Sequence, residues 1–135
     1  MRCRDQKLDA ELEVFLRKAL SSEKYSCPRD DIATTLLEQG KICELLKRVA
    51  VVCGGNITLG IVAILSLYFC CPRSEAERFL KMLFMDVRAF SFITHYYPSQ
   101  VKDFVKMVAY GDLKRKTVED AKRMLLRVLR EENSP

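Results

Sequence analysis

The sequence predicts an all-α protein, a compact bundle of about seven helices around one nearly all-apolar central helix. Three observations predict it. Apolar residues recur at intervals of three and four along most of the chain, the repeat of one helix face. The interruptions are those that end helices: glycines at 40, 54, 55 and 111, prolines at 72 and 98. No pair of alternating apolar segments flanks an Asn-Gly or Asp-Gly turn, so nothing marks a hairpin.

The elements follow in order. Leu8, Leu12, Phe15, Leu16 and Ala19 form the first apolar stripe. Ser-Cys-Pro-Arg-Asp-Asp at 26–31 then reads as a helix start, with a proline suited to a first turn and two acids suited to the positive end of the helix dipole. Ile32, Ala33, Leu36 and Leu37 make a second stripe that Gly40 ends, and Ile42, Leu45, Leu46 and Val49 a third that Gly54 and Gly55 end.

Between Arg48 and Arg73 the chain carries no charge. Gly54-Gly55-Asn56 divides that run, with Asn56 as an N-cap, so an apolar helix is expected from Ile57 to about Cys71, where Pro72 stops it. Roughly 15 residues at about 1.5 Å rise reach about 22 Å, short of the roughly 30 Å hydrocarbon layer. A helix apolar on nearly every side, among amphipathic neighbours, is expected at the centre of a bundle and not in a membrane.

After Pro72, Ser74 and Glu77 have the spacing of a capping box. One long helix is expected behind them, turning Phe79, Leu80, Leu83, Phe84, Val87, Phe90 and Ile93 inward until Pro98. Ser99 is the expected cap of the next, which carries Val101, Phe104, Val105 and Val108 as far as Gly111. Thr117 and Asp120 form a second capping pattern ahead of Val118, Ala121, Leu125, Val128 and Leu129.

With 135 residues the chain is expected to be a single helical domain spanning 1–135, and its 49% hydrophobic and 30% charged residues are those of an ordinary globular chain. The net charge of +5 is a mild excess. Its one concentration is near the C-terminus: Lys114, Arg115, Lys116, Lys122, Arg123, Arg127 and Arg130 form a candidate basic patch, diluted by Glu119, Asp120, Glu131 and Glu132 and lacking the aromatics that stack on single-stranded bases.

The six cysteines, Cys3, Cys27, Cys43, Cys53, Cys70 and Cys71, show no CxxC pair, and His95 is the only histidine, so no metal site and no cofactor are expected. The N-terminus turns charged and amphipathic at once, with no secretory pattern. Reduced thiols in a cytoplasmic or nuclear protein are expected.

Catalytic motifs are missing from the sequence. His95 stands beside Tyr96 and Tyr97 at a helix end, where a polar cap accounts for it. Cys-Gly-Gly-Asn at 53–56 has no strand ahead of it to make a phosphate loop, and Asp30/Asp31 and Glu131/Glu132 lie at helix ends. The expectation is a non-enzymatic interaction module, an adaptor or scaffold that receives a helix or peptide of another protein, with homodimerisation as a variant. The candidate anchors are aromatics near helix ends: Tyr25, Phe92, Tyr96, Tyr97 and Tyr110. Nucleic-acid binding through the C-terminal helix is the rival expectation, and membrane association is not expected.

Two resemblances bear on this reading. Leu36, Leu37, Gly40, Ile42, Leu45 and Leu46, followed by the apolar run at 56–69, resemble one armadillo or HEAT repeat over Ile32 to Phe69. That resemblance implies a scaffold holding peptides or helices in a groove. Thr-Leu-Gly-Ile-Val-Ala-Ile-Leu at 58–65 is similar to the start of the central helix in Bcl-type apoptosis regulators, host or viral. It keeps Gly60 and the aliphatic run, with Leu59 where that family has tryptophan and Ile61 where it has arginine. This implies a helix-capturing bundle, with the family's arginine-to-aspartate ion pair lost at Ile61.

Overall fold

A computed structural model describes residues 3, 5–22, 31–53 and 56–133, and among them eight helices and no strand. These are α1 (Gln6–Ser21), α2 (Asp31–Glu38), α3 (Ile42–Val52), α4 (Ile57–Cys70), α5 (Arg73–Met85), α6 (Val87–Tyr96), α7 (Ser99–Tyr110) and α8 (Arg115–Asn133). The eighth arises at Asp86. The long helix expected after Pro72 divides there into α5 and α6, because the Asp86 carboxylate accepts the backbone N–H groups of Arg88 and Ala89, at 3.0 and 3.1 Å, and restarts the helix.

Other ends follow the chemistry expected of them. The Asn56 side chain accepts from the Leu59 N–H at 3.0 Å and opens α4, and Asp5 accepts from Lys7 and Leu8 at the start of α1. Gly111 ends α7 at φ 69°, a left-handed conformation that residues with a Cβ avoid, and lets Asp112 N–H reach back to Met107 O at 3.0 Å.

Three expected caps are displaced. Proline holds the cap position of α5 and of α7, at Pro72 and Pro98, with no side-chain cap bond. The fixed φ of proline sets the entry of each helix, so Ser74 and Ser99 fall inside the first turns. Thr117 likewise lies within α8, which already begins at Arg115. The expected start signal at 26–31 and the glycine pair at 54 and 55 lie outside the described residues, except that Asp31 begins α2.

α4 is buried along nearly its whole length, including Leu59, Ile61, Val62, Ile64, Leu65 and Leu67. α1, α3, α5 and α8 all pack against it. α1 also lies along α8, and α5 along α7, while α6 bridges α5 and α7. Among the described residues no helix is long and apolar enough to cross a membrane.

The expectation of reduced thiols is corrected by the structure. Cys3 is bonded to Cys70 and Cys43 to Cys71, while Cys53 is also disulfide-bonded, and no described cysteine is free. The partners are 67 and 28 residues apart in sequence, separations that carry no pairing signal. Folding brings the segment ahead of α1 and the start of α3 to the end of α4, where two adjacent cysteines meet them.

Candidate interaction groove

The helix break at Asp86 borders an apolar cavity. A cleft of about 500 Å³ lies between α5, α6 and the end of α3. Ala50, Val51 and Val52 of α3 form one wall, and Met82 and Leu83 of α5 another. Ala89, Phe92 and Ile93 of α6, with Tyr97 just beyond it, close the third side, and Ile64 of α4 also lines the cleft. Asp86 and Arg88 supply the charged groups. The apolar lining continues onto open surface at Val51, Val52, Met82, Met85 and Val87, the last 82% exposed. Exposed apolar side chains grouped in this way make the cleft a candidate contact surface.

Of the aromatics singled out from sequence, the structure gathers three here. Phe92 lines the cleft half-buried, its ring 4.7 Å from that of exposed Tyr96 and 5.9 Å from that of Tyr97. Tyr97 is only 7% exposed, which corrects its expected place on the surface. It lies against the central helix, and burial pushes its hydroxyl up to about 12, so the group stays protonated. Tyr110 stands apart, edge-on to Phe84, which in turn meets Phe90. Tyr25 lies outside the described residues.

Tyr97 explains Gly60. A Cβ built on Gly60 would stand 1.9 Å from the Tyr97 hydroxyl oxygen and 2.9 Å from its Cζ, closer than real Cβ atoms come. Gly60→Ala is therefore expected to destabilise the fold by about 1–2 kcal/mol, overpacking of about 1–3 outweighing the roughly 0.5–1 gained in helix propensity. The three nearest atoms all belong to Tyr97, so in a Tyr97→Ala background the same change should become neutral or favourable. Urea midpoints of the four proteins in this cycle read the sign change. A penalty that persists without Tyr97 would place the obstruction elsewhere.

The candidate basic patch divides. Lys122 reaches Asp5 at 2.8 Å, and that pairing holds the Asp5 carboxyl below its usual range. Arg130 approaches Glu11 at 3.9 Å, Arg115 pairs with Glu119 at 3.3 Å, and Arg123 pairs with Asp120. Lys116, Arg123, Arg127 and Arg130 share the outer face of α8 by their helical spacing, with Asp120 among them. Lys114 is exposed just ahead of that helix. Two of these cations thus tie α8 to α1, and the outer stripe is interrupted by acid.

His95 donates from Nδ1 to the Ser91 carbonyl at 2.8 Å, one turn back in α6. No three His, Cys, Asp or Glu side chains converge as metal ligands among the described residues.

Val51, Val52, Met82 and Arg88 were not singled out from sequence. Their signal was present: Val51 and Val52 run on past the stripe that ends at Val49, and Met82 and Met85 fall off the stripe of Leu80 and Leu83. Compared with family models, curated proteins and solved structures, the chain matches none.

Proposed function

We propose that the chain is a non-enzymatic interaction module that receives a helix or peptide of another protein in the groove between α3, α5 and α6. The observation that carries this is the groove itself, apolar on three helices and flanked by exposed Val51, Met82 and Val87. A helix laid into it would present anchors at every third and fourth residue. Both families the sequence resembles bind partners in this manner. The ionisable lining favours binding over catalysis, since Asp86 is engaged as a helix cap and Tyr97 stays protonated. The paired cysteines favour an oxidising compartment over the cytoplasm or nucleus.

Met82 and Val51 are more than half exposed, so Val51→Glu with Met82→Glu should leave the circular dichroism unchanged. It should weaken partner binding by at least roughly tenfold, because seating an apolar anchor over each carboxylate strips its hydration. Undiminished capture of the same partner by the double variant would remove the groove from the account. Tyr96→Ala tests the outer edge of α6 in the same assay.

A further inference from the structure

The groove's charged groups are not equivalent, and the difference selects an occupant. Asp86 turns a carboxylate oxygen onto the backbone N–H groups of Arg88 and Ala89, so its charge serves the start of α6. Arg88 is exposed on the rim, and no acidic side chain among the described residues pairs with it. Arg78 stands one turn ahead of Met82 on the same side of α5, exposed and likewise without an acidic partner. Lys47, by contrast, is neutralised by Glu75 and Glu44 where α3 meets α5. An apolar cleft thus has one guanidinium group without an acidic partner in its lining and a second one turn from Met82 on α5, on a chain of net charge +5.

From this we infer that the occupant is an acidic amphipathic helix of another protein. Its apolar stripe seats against Val51, Met82 and Phe92, and carboxylates flanking the stripe reach Arg78 and Arg88. The inference rests on the groove reading and adds the partner's charge to it. A second copy of this chain fits less well. In a two-fold contact the same patch meets itself, which sets these guanidinium groups toward their own copies. A flat anionic bilayer would satisfy the arginines but leave the cleft unfilled, whereas the ridge of side chains on a helix enters it.

The test uses three synthetic peptides of about 18 residues, long enough to form helix, with identical leucine anchors at three-and-four spacing and Glu, Gln or Lys on the flanks. Fluorescence anisotropy with the whole chain at low salt should find the Glu peptide tightest, roughly tenfold over the Lys peptide. The gap should close near 1 M salt, where the screening length is about 3 Å. Arg78→Glu with Arg88→Glu, both exposed positions, should invert the order. Equal affinity of the Glu and Lys peptides overturns the inference while leaving the groove reading intact. Failure of all three to bind overturns both. Binding to phosphatidylserine vesicles without peptide binding, or a free-state dimer abolished by Val87→Glu, replaces this occupant with a membrane or a second copy.

Discussion

Reducing the sulfur pairs is expected to lower the stability of the folded chain by more than about 4 kcal/mol. The Cys3 to Cys70 bond closes a loop spanning 67 residues and the Cys43 to Cys71 bond one spanning 28. Loop-closure entropy assigns about 4 kcal/mol to the first and about 3.5 to the second. The loops overlap, so losing both removes less than the sum. Urea unfolding with and without a thiol reductant measures the total, and Cys3→Ala isolates the longer loop. Alkylation of the denatured, unreduced chain should leave the described cysteines unmodified. Coincident unfolding curves and full alkylation would return the cysteines to the role of buried apolar side chains.

Phe104→Ala should be as damaging, at about 3–5 kcal/mol, the range for emptying a fully buried aromatic site. Phe104 is completely buried on α7 and meets Tyr68 of the central helix edge-on, ring centres 5.4 Å apart. Tyr68 is held in turn by the Arg73 guanidinium 4.8 Å from its ring centre. The cavity left by alanine would therefore sit between α7 and α4, with little freedom to collapse. Phe104→Leu fills most of the space and should lose roughly 1 kcal/mol. Thermal unfolding of the two variants provides the comparison. A Phe104→Ala protein as stable as its parent would mean that α7 is held without this contact.

Helix content was readable from sequence because it depends on neighbours three and four apart, and those repeats are strong here. The apolar character of Ile57 to Cys70 and the caps at Asn56 and Gly111 are local facts of the same kind. The break at Asp86 was hidden because Leu83, Val87 and Phe90 keep helical spacing across it, and an aspartate within such a stripe looks like a solvent-facing residue. Ser74 and Thr117 misled in the opposite direction, since a capping spacing occurs by chance inside helices whose entry is set by other residues. The sulfur pairs and the groove could not be read locally. Each depends on how helices distant in sequence lie together, the groove being lined from α3, α4, α5 and α6. Tyr97 shows the same limit: a tyrosine beside a proline reads as surface until the bare backbone of Gly60 is placed beneath it.

The adjacent cysteines at the end of α4 have a consequence for how the chain acquires its bonds. Cys43 is 28 residues from Cys71 and 27 from Cys70, so an unfolded chain brings either neighbour to it with almost the same probability. Chain statistics cannot select between native and swapped linkages. Selection has to come from helical order already present up to Cys70, which fixes the directions of the two neighbouring side chains and presents each thiol to a different partner. Oxidation before α4 forms would yield isomers of identical mass, and oxidation after it a single one.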